Sequence, residues 1–300
     1  MTFFDYGEVI DNNSKFAIFG IPWDYLTSIK IANSAIAPKK IREVTLYIAR
    51  TTELGLEIPT LKVVDLGDIK IHPEAVEQNI KDIDKFVNEI YKQKSEIIPI
   101  MIGGDHFCTY PVLKAVSNQI KDNDHFGVLI FDSHLDFYDS WDKGVYSHAT
   151  VSRRIYDLET INNKSIMIVG TRDIDIAELE SVKEKNVAYL NAYLLQENLL
   201  DQYTNTIINF FDKSGINTLY LSIDIDVLDP SVAPATGYAI PGGLSYRELW
   251  YILKRVTEHF KIKAFDLVEV SPNLDLPNNM TSTLAAKLII ELISFITIKK

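Results

Sequence analysis

The chain has 300 residues, 47% hydrophobic and 24% charged, enough to bury one large core, so a single domain over residues 1–300 is expected. With 30 Lys+Arg against 41 Asp+Glu, the formal net charge is -11, which argues against nucleic acid and anionic membranes and suits a small cationic partner. A lone cysteine, Cys108, excludes an internal disulfide and a thiolate zinc site, and reads as a small apolar residue starting a core helix rather than as a nucleophile.

In chain order the residue pattern predicts a strand over 16–21, a helix over 38–52, a strand over 61–66, a helix over 73–92 and a strand over 97–102. A helix over 110–118 follows, then strands over 127–131 and 165–169, a helix over 178–184 and a strand over 187–190. The last third predicts a helix over 201–211, a strand over 218–223, a helix over 245–259, a strand over 262–267 and a helix over 282–297. Continuously apolar strands separated by helices predict a three-layer α/β/α fold around a mainly parallel sheet of about eight strands. The N-terminus lacks a basic region followed by an apolar run, and no uninterrupted apolar stretch approaches the roughly 20 residues of a membrane helix, so a cytoplasmic location is expected.

Metal-type ligands fall in three clusters at predicted strand ends: His106 in Gly-Gly-Asp-His, Asp132, His134 and Asp136 in FDSHLDFYD, and Asp224 and Asp226 in SIDIDVLDP. In a parallel α/β sheet ligands bind beyond the carboxyl ends of the strands. If these segments are extended, alternation puts Asp132, His134 and Asp136 on one face, and likewise Asp224 and Asp226. Aspartates between β-branched residues would be costly buried charges without a cation. Four carboxylates balance two divalent ions with both imidazoles neutral, and oxygen and nitrogen donors without thiolate favour Mn²⁺ over structural zinc. Such a pair makes metal-assisted hydrolysis the expected chemistry.

GIPWD at 20–24, IGGDHFCTYP at 102–111, FDSHLDFYD at 131–139, SHAT at 147–150, the run from Ser222 to Ser245 and VEVSP at 268–272 together resemble the ureohydrolases, the arginase and agmatinase family. The resemblance implies one manganese on His106, Asp132, Asp136 and Asp224, and a second on Asp132, His134, Asp224 and Asp226. It implies His148 as the catalytic proton shuttle and Glu269 as the group that hydrogen-bonds the substrate guanidinium, with His148 expected to titrate near its ordinary value. It also implies a homo-oligomer, a trimer or a hexamer.

Where arginases carry an asparagine and a serine for the amino acid's carboxylate, this chain has Tyr138 and Gly144. That resembles agmatinases and favours agmatine, cleaved to urea and putrescine in polyamine biosynthesis. GTRDIDIAELE at 170–180 resembles an arginase segment whose aspartate recognises an amino group, a role falling on Asp175 or Asp173. Either aspartate also fits a helix start. The loop before Pro38 lacks the family's glycine and arginine pattern and is expected to fold differently over the pocket. The other readings are a ureohydrolase acting on arginine, guanidinobutyrate or formimidoylglutamate, and a catalytically silent binding protein on the same scaffold.

Overall fold

The computed structural model describes residues 1–25, 32–72, 74–121, 125–142 and 144–299. All eight expected strands form: β1 (Phe16–Gly20), β2 (Val63–Asp68), β3 (Ile98–Ile102), β4 (Phe126–Phe131), β5 (Ile166–Thr171), β6 (Ala188–Asn191), β7 (Thr218–Asp224) and β8 (Lys261–Val268). They join in one sheet in the order β2-β1-β3-β8-β7-β4-β5-β6, and every pairing is parallel. The helices are α1 (Ala37–Val44), α2 (Val76–Gln93), α3 (Thr109–Ser117), α4 (Val151–Tyr156), α5 (Ile176–Lys185), α6 (Leu194–Glu197), α7 (Leu200–Lys213), α8 (Tyr246–His259) and α9 (Met280–Ile298).

Strand periodicity sorts the core into two halves. Phe16 and Ile18 of β1 pack into the apolar cluster that holds residues of α1, α7, α8 and α9. Ala17 and Phe19, pointing the other way, join the cluster formed with α2, α3, α4 and α5. Both faces are therefore covered, which is why the strands read as continuous apolar runs.

Some expected boundaries move for local reasons. The helix expected to reach residue 52 ends at Val44 and tightens into a 3₁₀ turn at Thr45–Tyr47, where the Thr45 hydroxyl donates to the Arg42 carbonyl at 2.7 Å. The start expected at Pro73 lies outside the described residues, and the helix runs from Val76. Helices α4 and α6, of 6 and 4 residues, are too short to show a period and were not expected. By length and composition alone α9 could span a membrane, but Lys287 and Glu291 interrupt its apolar run and 72% of its apolar window is buried inside the fold.

A buried ion pair ties the first helix to the edge of the sheet. Arg42 of α1 donates to both Asp65 carboxylate oxygens, at 2.7 and 2.8 Å, and Asp65 also accepts the Phe3 backbone N–H at 2.6 Å. Both ionic side chains are at most 4% exposed. Truncation of the arginine would strand the carboxylate, so Arg42→Ala is expected to cost about 3–5 kcal/mol in urea unfolding.

Candidate active site

The strand order sets β3, β8, β7 and β4 side by side, so their carboxyl ends open on one edge of the sheet. From those ends come His106 after β3, Glu269 after β8, Asp224 and Asp226 at β7, and Asp132, His134 and Asp136 after β4. The turn after β3 requires glycine, because a Cβ on Gly104 would lie 1.8 Å from the Trp23 carbonyl oxygen. Glu269 has a left-handed backbone, φ 62°, held by its N–H donating to the Gly104 carbonyl at 2.8 Å. Its carboxylate accepts the His106 backbone N–H at 2.7 Å. Asp136 is likewise left-handed, φ 49°, and its carbonyl accepts the Ser152 N–H at the start of α4. Such conformations are uncommon for residues with a side chain and persist where the surroundings fix them.

Strand alternation does not aim these ligands, contrary to expectation. β4 ends at Phe131, residues 132–136 form an irregular loop, and Asp226 lies in the 3₁₀ turn Ile225–Val227. Backbone hydrogen bonds aim them instead. Asp132 accepts the His134 N–H through Oδ1, Asp224 accepts the Asp226 N–H through Oδ1, and Asp226 accepts the Ser133 N–H through Oδ1. The other oxygen, Oδ2, faces an imidazole: His106 Nδ1 lies 3.0 Å from Asp132, 3.0 Å from Asp136 and 3.3 Å from Asp224, and His134 Nδ1 lies 3.1 Å from Asp226. Behind the cluster His106 Nε2 meets the Ser222 hydroxyl at 3.1 Å, which donates to buried Asp266, so Nδ1 is the nitrogen left facing inward.

This donor set fits metal ions. His106, Asp132 and Asp224, and again Asp132, His134 and Asp226, offer donor atoms that all lie within 4.8 Å of one another. His106 Nδ1 and Asp132 Oδ2 are buried and close, yet neither has an aligned hydrogen-bond partner, as expected of lone pairs converging on a point between them. Burial first, then Asp132, pushes Asp136 up to about 7. Burial, then Asp226 and Asp132, pushes Asp224 well above the carboxylate range. Without cations the carboxylates cannot all ionise comfortably.

The cluster floors a cavity of about 360 Å³. His148, Glu269, Tyr138, Asp173 and Asp175 all line it, so the structure gathers every expected catalytic and substrate-contacting residue with the ligands. Gly144 sits nearby, paired through its backbone with Trp141. His148 opens a 3₁₀ turn closed by a Ser147–Thr150 capping box, and its Nδ1 lies 3.3 Å from the Ser147 hydroxyl. Its ordinary titration is not kept: burial first, then the positive imidazoles of His134 and His106, lowers it to about 4. Asp175 is the N-cap of α5, accepting the Ala177 N–H at 2.8 Å, and its charge acts on the Tyr138 hydroxyl. Asp173 lies 3.6 Å from His134 Nε2. Cys108 is fully buried against the carbonyls of Ile21 and Trp23, and burial pushes its thiol well up, consistent with a core role. Of the atypical loop, residues 26–31 lie outside the described residues.

Among the lining residues that escaped the sequence reading are Glu178, Trp141 and Tyr238. Glu178 stands three positions after Asp175, the spacing of a capping box, which reads as a solvated helix start. Instead its carboxylate turns inward, accepts the Phe137 N–H at 2.8 Å and is pushed up to about 8 by burial and then by Asp136. Trp141 and Tyr238 lie in loops, where periodicity carries no signal.

Metal removal has a definite pH signature. Burial pushes Asp136 up to about 7 from 3.8, and Asp224, Glu178 and Glu269 shift the same way against the opposite shift of His148, so the stability these carboxyls provide is present below about pH 4 and lost as pH rises to about 7. The metal-free protein is expected to melt progressively lower across that window, and a saturating divalent metal ion is expected to raise the melting temperature most at its upper end. Differential scanning fluorimetry at stepped pH, with and without metal, checks both.

Residues 14–294 match the model of the Arginase family. The chain is 30% identical to the agmatinase of Pyrococcus horikoshii over 278 residues, covering 92% of this chain and 90% of the relative. Its structure superposes on the agmatine ureohydrolase of Thermoplasma volcanium with a TM-score of 0.84 at 28% identity, covering 99% of this chain and 95% of the other. The formimidoylglutamase of Bacillus subtilis superposes with a TM-score of 0.88 at 25% identity, covering 100% and 92%. With the fold, the strand-end cluster and a match across nearly its whole length in agreement, the chain belongs to the arginase family and is a ureohydrolase acting on guanidino C–N bonds.

Proposed function

We propose that this ureohydrolase cleaves agmatine to urea and putrescine at a pair of manganese ions. The observation that carries the substrate choice is the charge of the cavity. Beyond the ligand cluster it is lined by Asp173, Asp175 and Glu178, and no lysine or arginine is among the described lining residues. A substrate ending in an ammonium meets carboxylates there. Arginine, guanidinobutyrate and formimidoylglutamate would each bring a carboxylate that finds no cation. The likeness to an agmatinase and an agmatine ureohydrolase supports the same reading.

His106, Asp132, Asp136 and Asp224 would hold one ion, and Asp132, His134, Asp224 and Asp226 the other. Asp132 belongs to both groups of converging donors, which supports its bridging role. Two divalent ions in this set supply the Lewis acidity that makes a water proton removable near neutral pH. Glu269, fixed by the His106 N–H, receives the planar guanidinium and turns its central carbon toward the cluster. Water adds to that carbon and the C–N bond to the alkyl chain breaks.

The departing nitrogen needs a proton, because an amide anion cannot leave at neutral pH. His148 holds Nδ1 against Ser147, which leaves Nε2 to carry that proton. Since positive charge nearby and burial keep this imidazole neutral at pH 7, it first accepts the proton released by water and then hands it to the amine. Bound metal ions would replace the protons of the ligand imidazoles with positive charge of their own, so the direction is unchanged.

His148→Ala is expected to retain full manganese content by elemental analysis while kcat falls by about 100-fold or more. Unchanged turnover would remove the assignment. Substrate choice is tested by incubating manganese-loaded protein separately with agmatine, arginine, guanidinobutyrate and formimidoylglutamate and measuring urea and formamide. Urea from agmatine is expected. Urea from arginine with none from agmatine overturns the choice, and no product from any substrate points to a silent binding protein.

A further inference from the structure

One wall of the cavity carries an aromatic pair whose role the reaction chemistry leaves open. Tyr138 and Trp141 stand with ring centroids 4.8 Å apart, their planes tilted by 50°, and both rings line the cavity. Each is fixed in place. The Tyr138 hydroxyl interacts electrostatically with Asp175, whose carboxylate accepts the Ala177 N–H in the first turn of α5. Trp141 sits in a tight turn in which its N–H donates to the Gly144 carbonyl and its own carbonyl accepts the Gly144 N–H, both at 2.8 Å. Asp142, within that turn, takes the left-handed conformation it requires, φ 46°.

A half-buried indole held over a cavity between carboxylates has a specific use. Its face carries the negative lobe of the ring quadrupole, and tryptophan is the strongest of the aromatic side chains in attracting a cation. Its apolar breadth also covers a methylene chain at little entropic cost. Asp173 and Asp175 share the cavity and add charge of the same sign as the π face. A neutral tail would gain only the apolar contact, and a carboxylate tail would be repelled by both aspartates and the π face.

We propose that Trp141 is a specificity-determining residue: its indole packs the substrate's alkyl chain and receives the terminal ammonium on its face, while Tyr138 holds the ring in position. This rests on the cleavage of a guanidino substrate proposed above. It adds that the cation at the far end of the chain is selected by an aromatic wall, and that the acidic groups alone do not account for the selection.

The test compares agmatine with 1-pentylguanidine, in which a methyl group replaces the ammonium, in wild type, Trp141→Leu and Trp141→Phe. Leucine keeps apolar packing and removes the π face. In Trp141→Leu the ratio of kcat/KM for agmatine to that for 1-pentylguanidine is expected to fall about ten-fold, through KM, with kcat and manganese content kept. Trp141→Phe should retain most of the wild-type ratio. An unchanged ratio in Trp141→Leu, or an equal loss on both substrates, overturns the role of Trp141 and leaves the agmatine reading standing. A wild type that releases urea from arginine and none from agmatine overturns both.

Discussion

Three carboxylates and two imidazoles converge in two groups whose donor atoms lie within 4.8 Å of one another, a fourth carboxylate, Asp136, lies 3.0 Å from His106, and this concentration of charge governs the architecture around it. Left alone, such a cluster would be strongly unfavourable, because burial and mutual repulsion resist ionisation of Asp136 and Asp224. Cations resolve the conflict, and the fold is arranged to receive them. Each of Asp132, Asp224 and Asp226 gives one oxygen to a backbone N–H and keeps the other for the centre. Orientation is therefore set by backbone hydrogen bonds within the turns themselves, which lowers the cost of assembling the site.

The surrounding scaffold carries the strain of that arrangement. Glu269 and Asp136 hold left-handed backbones, and the Gly104 approach to Trp23 leaves no space for a side chain. Arg172 binds the carbonyls of Asp226, Leu228 and Ile240 at 2.6, 3.2 and 2.8 Å, which ties the end of β7 to the loop carrying Tyr238. Tyr238 in turn packs edge-on against His134, 5.9 Å between ring centroids. The rim of the cavity is thus mechanically continuous with its floor.

Much of the fold was legible because a parallel sheet buried on both faces forces long apolar runs, and each run here is a strand. Helices α4 and α6 were invisible because six or four residues do not complete enough turns to show a period. The cluster residues were legible because aspartates flanked by β-branched residues are costly without a ligand. The reason offered for their convergence was wrong: pleat alternation would apply to a strand, but Asp132 to Asp136 lie beyond the end of β4, and a 3₁₀ turn carries Asp226. His148 was expected to titrate as an ordinary imidazole, whereas its burial beside two positive imidazoles lowers it to about 4. Glu178 was hidden because a capping-box spacing describes a helix start equally well whether it faces water or a cavity.

The sequence by itself determined which atoms are available: a donor set of oxygens and nitrogens, an acidic balance, eight strands, and strand-end placement of each cluster. These follow from residue type and short-range periodicity, which act over a few positions of the chain. Tertiary structure decided the rest. Only the sheet order, which carries the chain past β8 and β7 between β3 and β4, brings residues more than one hundred and sixty positions apart into hydrogen-bond contact, as between His106 and Glu269. Only the packing of loops decided that Trp141, Tyr138 and Glu178 share one cavity, because loop geometry is fixed by long-range contacts that no local pattern encodes.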